Sequence, residues 1–378
     1  MGYGGGALEK VVRKIEFGPQ FSKLEPRRLN SIFWQNKRVL LTGHTGFKGG
    51  WLTQWLKRMG AHVTGIALPS NTQPNLFEVA KVSDGIQSHF CDIRDAEKLA
   101  SLVRACRPEL VFHLAAQSLV RASYASPIDT YAVNIMGTAH LLNALRDVDS
   151  VRVAVVVTTD KVYQNLEQPY PYRESDALGG HDPYSASKAA SEIVIASYRD
   201  VFLKEQGVAV SSVRAGNVIG GGDWSVDRLI PDAVRAWQAG RVLDIRHPQA
   251  TRPWQHVLEP LHGYLCLAEI LWSQPELAGA YNFGPYAHEA TTVQMVIELA
   301  RYFYGQGEVC LGDHIIGPRE AGFLALETAK SRLMLGIHPR WTLAESVRHT
   351  MNWYQAQYAG ADARLLCEAE ILEYENLV

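Results

Sequence analysis

Arg38-Val39-Leu40-Leu41-Thr42-Gly43-His44-Thr45-Gly46-Phe47-Lys48-Gly49 carries a short apolar run straight into three glycines spaced G-x-x-G-x-x-G. The run reads as a buried strand ending at Gly43. From Gly49 to Met59 the spacing turns helical, with Trp51, Leu52, Trp55, Leu56 and Met59 on one face. A glycine turn between strand and helix lets backbone approach a pyrophosphate, which then rests on the helix N-terminus. The spacing differs from the G-x-G-x-x-G of ordinary dinucleotide-binding units. Taken alone, it also fits a tight turn in a nucleotide-free α/β protein.

The alternation continues outward from this turn. Residues 62–66 read as a strand, 96–106 as a helix, 110–114 as a strand and 130–145 as a helix. Residues 151–157 are too continuously apolar for a half-exposed sheet edge. A helix over 187–202 and a strand over 208–213 follow. Strand and helix thus alternate over 37–217, which predicts an α/β fold of Rossmann type, a doubly wound parallel sheet. Beyond Gly220, Pro, Trp and Arg become frequent and the rhythm is lost. A smaller, mixed α/β C-terminal lobe that binds substrate is expected over 218–378, with a discontinuous boundary. Residues 1–36 read as an extension, draped on the body or partly disordered.

Lys and Arg total 37 against 39 Asp and Glu, so the net charge is −2. Near-neutrality gives no support to a nucleic-acid or anionic-membrane partner. No apolar run reaches bilayer length, and Met1–Ala7 lacks the order of a secretion signal. The five cysteines, at 91, 106, 266, 310 and 367, are odd in number and form no C-x-x-C pair. Neither a disulfide framework nor a metal site is expected, and a cytoplasmic, reducing location is the default.

Tyr184-Ser185-Ala186-Ser187-Lys188 puts Tyr and Lys four apart, on one helical face. A lysine ammonium beside a phenol favours phenolate and is expected to draw the Tyr184 pKa down. Phenolate can accept a sugar hydroxyl proton while hydride leaves for a nicotinamide. By itself the pair fits a surface helix. Its placement after the 151–157 strand returns it to the C-terminal sheet edge, where ligands collect. That strand runs on into Thr158-Thr159-Asp160-Lys161-Val162-Tyr163. Thr159 can bind a sugar hydroxyl, and Asp160 with Lys161 puts an acid and a potential base beside it; the alternative is a solvated ion pair in a turn.

Gly43 to Gly49, His113-Leu114-Ala115-Ala116-Gln117, Thr159-Asp160-Lys161 and the Tyr184/Lys188 pair together resemble the extended short-chain dehydrogenase/reductase family. Within it they look like the nucleotide-sugar 4,6-dehydratases. Further phrases carry the likeness: Arg214-Ala215-Gly216-Asn217, Gly220-Gly221-Gly222-Asp223-Trp224, Arg228-Leu229-Ile230-Pro231-Asp232 and Ala250-Thr251-Arg252-Pro253-Trp254. The resemblance covers about residues 33–356. It implies catalysis by Thr159, Asp160, Lys161, Tyr184 and Lys188. It implies NAD held by Gly43, Thr45, Gly46, Phe47, Lys48 and Gly49, by Asp92 and Ile93, by Leu114, Ala115, Ala116 and Gln117, and by Tyr184 and Lys188. Substrate falls to Gln117, Arg121, Asn217, Arg228, Arg252 and Arg319, with Trp224 bordering the nucleotide. Lysine at 161, where dTDP-glucose dehydratases carry Glu, resembles the CDP-glucose branch, so CDP-glucose is the implied substrate and a homodimer the implied assembly.

Several points stand open in the sequence. No acidic residue follows the second strand, at Gly65-Ile66-Ala67-Leu68-Pro69-Ser70, to hold an NAD ribose. Asp92 reads as an adenine contact or as a helix N-cap before Ala96. His113 reads as a structural histidine, and Asn282 as either a ligand or a turn former. Rivals are a 4-epimerase or GDP-mannose dehydratase on the same scaffold, and a non-catalytic dinucleotide sensor. Epimerases need no acid–base pair at Asp160-Lys161, and sensors tend to lose the Tyr or the Lys.

Overall fold

The computed structural model describes residues 27–312 and 321–377. Seven parallel strands form the central sheet: β1 (Arg38–Thr42), β2 (His62–Ala67), β3 (Gln87–Phe90), β4 (Leu110–His113), β5 (Val153–Val157), β6 (Ala209–Ala215) and β7 (Ala280–Phe283). Their spatial order is β7-β6-β5-β4-β1-β2-β3. The order reverses between β1 and β4, which pair from Val39 with Leu110 to Thr42 with His113. Such a reversal opens a crevice at the C-terminal strand ends. β7 comes from after residue 217 yet pairs with β6 from Ala280 with Ser212 to Phe283 with Ala215.

Alternate residues along each strand serve opposite faces, which is why the strands read as unbroken apolar runs. Leu40, Val111, Ala154 and Val156 pack with Leu99, Val103, Leu141, Leu142 and Ile195. These come from α1 (Ala96–Cys106), α2 (Thr138–Leu145) and α3 (Pro183–Tyr198). Val39, Leu41, Phe112, Val153 and Val155 instead meet Trp51, Leu52 and Trp55 and the helix Leu258–Ser273 on the other face. Trp51 and Trp55 are fully buried, each contributing on the order of 3 kcal/mol of transfer free energy.

Several sequence-based boundaries shift by one or two residues, and two elements change more. The helix expected over 187–202 begins at Pro183, behind the N-cap Asp182, whose carboxylate accepts from Ser185 N. The helix expected over 130–145 is divided, with a wider π-type stretch over Ala132–Gly137. Residues 1–26 of the expected N-terminal extension lie outside the described residues. Residues 27–36 are tied to the body: Trp34 is fully buried and its indole N–H donates to Glu269 at 2.8 Å. Beyond β6 the polypeptide forms helices and strand pairs of two or three residues, such as Gln255–His256 with Val218–Ile219. Among the described residues no helix is long and apolar enough to cross a membrane.

Candidate active site

A cleft of about 1340 Å³ opens over the C-terminal ends of the strands. Its walls bring together the Gly43–Gly49 turn, Asp92 and Ile93, Leu114 to Gln117, Thr159 to Lys161, Tyr184 and Lys188, and Arg121, Asn217, Arg228 and Arg252. Arg319 lies outside the described residues.

At one end, Gly43 has φ +80°, and a Cβ there would stand 2.7 Å from Ala115 N. A Cβ on Gly49 would stand 2.0 Å from Gly43 O. Glycine at both positions lets the turn close against β4 and its own helix, Phe47–Arg58. Gly46 is the N-cap of that helix and brings no side chain to the first-turn N–H groups. A Cβ there would meet only Gly43 O, at 3.4 Å. The helix N-terminus is thus open to the cleft, a cradle that fits a pyrophosphate. The side chain of Lys48 turns inward and donates to Tyr264 OH at 3.1 Å. Burial first, then the Arg228 and Lys188 cations, push its pKa down to about 7.

No carboxylate stands after β2. The polar side chains lining the cleft there are Ser70, Asn71 and Thr72. Thr45 Oγ1 donates to Leu68 O at 2.8 Å and fixes this rim. Asp92 lines the cleft while gripped by Arg94 at 2.7 Å. The Arg94 hydrogen bonds hold its carboxyl below the usual range. Asp92 is not the cap of α1, because Asp95 is. His113 is structural: Thr42 Oγ1 lies 2.6 Å from Nδ1 and Thr138 Oγ1 3.0 Å from Nε2. Burial, with Lys188 nearby, pushes its pKa down to about 3.

β5 ends in a tight 3-10 turn, Asp160–Val162, with Thr159 as its N-cap. Thr159 Oγ1 donates to Asp160 Oδ1 at 2.9 Å, and Lys161 Nζ reaches the same oxygen at 3.3 Å. Asp160 is 1% exposed, and its Oδ2 has no hydrogen-bond partner among the described residues. A buried orphan acceptor beside a cleft is disposed to take a ligand hydroxyl. Tyr184 is buried, with its hydroxyl bonded to Thr159.

The Tyr184 pKa is not lowered as expected. Burial pushes it up to about 12, and the bond to Thr159 offsets only part of that. Lys188 Nζ donates to the Val157 carbonyl at 3.2 Å. Burial draws the Lys188 pKa down to about 8, against the opposing Glu192 carboxylate.

Other expected side chains carry duties within the chain. The Gln117 amide donates to Thr130 Oγ1 at 2.9 Å and its carbonyl accepts from Leu119 N at 2.6 Å, so both ends shape the cleft wall. Arg121 pairs with Asp227 at 3.2 Å. Arg228 pairs with Asp223 at 2.9 Å and reaches Ser118 at 3.3 Å. Arg252 donates to the carbonyls of Thr251 and Ala321 at 2.9 and 2.5 Å. Trp224 does not line the cleft: it is buried against Trp353, with ring centroids 5.8 Å apart. Asn282 is a fully buried strand residue, accepting from Tyr163 OH at 2.6 Å.

One positioning residue had no local signal. Asn134, in the π-type stretch, accepts from Gln117 N at 2.9 Å and donates to Ser187 Oγ at 2.8 Å. It joins the β4 loop to the helix that carries Tyr184 and Lys188.

The family model described as GDP-mannose 4,6 dehydratase matches residues 40–350. The CDP-glucose 4,6-dehydratase of Salmonella typhimurium is 45% identical over 92% of this chain and 98% of its own length. Among solved structures, a dTDP-glucose 4,6-dehydratase from Bacillus anthracis in complex with NAD superposes with TM-score 0.71 at 21% identity, covering 86% of this chain and 98% of that one. MoeE5 in complex with UDP-glucose and NAD gives TM-score 0.72 at 22% identity, covering 85% and 99%. At these identities the two structures establish the fold.

Proposed function

The chain belongs to the GDP-mannose 4,6-dehydratase family, and we propose that within it the chain is a CDP-glucose 4,6-dehydratase, forming CDP-4-keto-6-deoxyglucose and water. It is an NAD-dependent nucleotide-sugar 4,6-dehydratase. The observation that carries the substrate reading is the near full-length identity to the Salmonella enzyme. Lys161 beside Asp160 agrees with it.

The glycine turn, Asp92, Ile93, Leu114, Ala115 and Ala116 would hold the dinucleotide, with Ser70 and Asn71 toward the ribose. Bound NAD supplies the acceptor for a hydride from sugar C4 and the donor of a hydride to C6. Tyr184 takes the 4-hydroxyl proton, and Lys188 stabilises the phenolate that does so. Thr159 orients the sugar through its hydroxyl. Once C4 is a ketone the C5 proton is acidic, and Lys161 takes it or stabilises the resulting enolate. Asp160 protonates the departing 6-hydroxyl from its unpartnered Oδ2. Arg121, Arg228 and Arg252 face the diphosphate, and Asn217 the sugar or phosphate; the sequence resemblance extends this group to Arg319.

Residues 37–217 are assigned mainly to NAD and the later residues to substrate. A homodimer through α3 and the Pro127–Leu145 segment is supported by Ile128, Met136 and Ile193 on these elements, 76%, 50% and 63% exposed. A four-helix interface is the arrangement expected. A cytoplasmic location and a role in deoxysugar and lipopolysaccharide synthesis complete the reading.

The test is incubation with NAD and, separately, CDP-glucose, dTDP-glucose and GDP-mannose, with the product read by NMR. A 4-keto-6-deoxy sugar from CDP-glucose is expected. Turnover of only the other two substrates would overturn the substrate assignment.

A further inference from the structure

Behind the cleft, and outside its lining, lies a buried ion pair. Arg214, on β6, donates from Nε and Nη2 to the two oxygens of Glu192 at 3.0 and 2.9 Å. Their side chains are 3% and 4% exposed. Ser212 Oγ adds a bond to Glu192 at 2.7 Å. Every charge in this pair is met by a fork-to-carboxylate bond, the geometry that offsets desolvation.

The partners of the pair are placed unevenly around the chain. Thr158 Oγ1 donates to Glu192 Oε1 at 2.5 Å, and Arg214 Nη1 donates to Tyr163 OH at 2.9 Å. Thr158 and Tyr163 are the residues that flank Thr159-Asp160-Lys161-Val162. Both ends of the catalytic turn are therefore fastened to one ion pair. Tyr163 is anchored again, to Asn282, whose amide donates to the carbonyls of Tyr172 and Glu327 at 3.0 Å each. Glu192 also stands one helical turn beyond Lys188 and two beyond Tyr184, on the same face of α3.

We infer that Glu192 is a positioning residue for the dehydration: with Arg214 it clamps the Thr159–Lys161 turn, and its carboxylate keeps Lys188 charged beneath Tyr184. The inference rests on the dehydratase reading above. Lys188 lies within electrostatic reach of Glu192, one turn on along its own helix, of His113 from β4 and of Lys48 from the glycine-turn helix; Tyr184 stands one turn before it, and Arg214 lies behind Glu192 on β6. His113 is neutral at working pH, so Glu192 is the anion that supports the ammonium from this side. Neutralising it leaves Arg214 unbalanced, and both changes favour neutral Lys188.

The experiment compares Glu192→Gln and Glu192→Asp with the native enzyme. Readouts are kcat, KM for CDP-glucose, the alkaline limb of the kcat–pH profile, and the Lys188 titration by NMR of ¹³C-labelled lysine without substrate, assigned with Lys188→Met. For Glu192→Gln, kcat should fall about 10- to 100-fold, by misalignment of the turn, with KM within about twofold. Its alkaline limb and NMR midpoint should both move about one unit toward acid, a tenfold change in acid constant. Glu192→Asp keeps the charge and should keep the native limb. If Glu192→Gln does not fold, Thr158→Val carries the test, with kcat down about fivefold, KM held and the limb unmoved. A folded Glu192→Gln enzyme with native kcat, or with an unmoved limb and midpoint, would overturn the inference; so would native kcat in Thr158→Val where that variant carries the test. Native enzyme inert on CDP-glucose would instead overturn the dehydratase reading.

Discussion

Lys161 Nζ donates to Asp160 Oδ1 at 3.3 Å, while the other oxygen of that buried carboxylate has no hydrogen-bond partner among the described residues. One oxygen is thus committed to holding the turn and the other is free to meet a sugar hydroxyl. The Lys161 side chain is 31% exposed, so it stands where the cleft opens rather than beneath it. In the proposed elimination this arrangement would give adjacent residues separate tasks.

Lys161→Met separates oxidation from elimination. Solvent deuterium exchange at sugar C5 should fall by about 10²–10⁴, the usual scale for losing an acid–base group, while the nicotinamide absorbance of the first half-reaction still develops. Mass spectrometry of recovered sugar reads the exchange. Normal exchange would exclude Lys161 as the base.

Tyr184→Phe should stop the reaction one step earlier. Removal of the hydroxyl bonded to Thr159 is expected to lower kcat by about 10²–10⁴ with NAD affinity within a few-fold of native. Calorimetric titration with NAD and single-turnover absorbance separate the two effects. Reduced nicotinamide accumulating at the native rate would contradict the role given to Tyr184.

Two glycines in one turn should respond differently. Gly49→Ala drives a Cβ to 2.0 Å from the Gly43 carbonyl oxygen, so the backbone of the turn itself must shift. A loss of about 2–3 kcal/mol in stability is expected together with weak NAD binding. Gly46→Ala points its methyl toward the cleft and should change stability by less than about 1 kcal/mol. Its NAD affinity should nonetheless fall at least about tenfold, because the methyl occupies the pyrophosphate cradle. Denaturant titration with and without NAD reads both.

His113 makes stability depend on pH with a definite sign. Its folded pKa is depressed to about 3 from an ordinary 6.5. The unfolded chain therefore binds a proton that the folded chain refuses, and the contribution present above pH 6.5 is lost as pH falls toward 3. At pH 5 the loss is about 2 kcal/mol. His113→Gln, which cannot protonate, should lose about that much less stability than native between pH 7 and pH 5. An equal pH dependence in both proteins would contradict a buried neutral His113.

The fold was legible where local pattern and burial agree. Leu40 and Leu41 serve opposite faces of the sheet, so β1 reads as an apolar run, and the glycine turn follows it in sequence. The convergence of Thr159, Tyr184 and Lys188 was legible because Thr159 follows a strand end and the Tyr-x-x-x-Lys helix comes after that strand by a loop long enough to return to the same sheet edge. What was missed depends on partners distant in sequence. Trp34 is fixed by Glu269 and Tyr163 by Asn282, and nothing near either residue announces it. Ser70 and Asn71, proposed to face the ribose, line the cleft where the sequence offers no acid. Trp224 was assigned to the nucleotide, yet aromatic neighbours from the helix Leu343–Tyr358 bury it. Tyr184 was expected to be acidified by Lys188, but burial dominates its surroundings and pushes the phenol up instead.

Internal transfer of hydrogen from C4 to C6 is what distinguishes a 4,6-dehydratase from an epimerase on the same sheet. CDP-glucose deuterated at C4, incubated with the enzyme and NAD, should yield a 4-keto-6-deoxy sugar whose methyl group carries the deuterium, as read by NMR and mass spectrometry. Deuterium returned to C4 in a 4-epimerised sugar, or absent from C6 in the product, would contradict it.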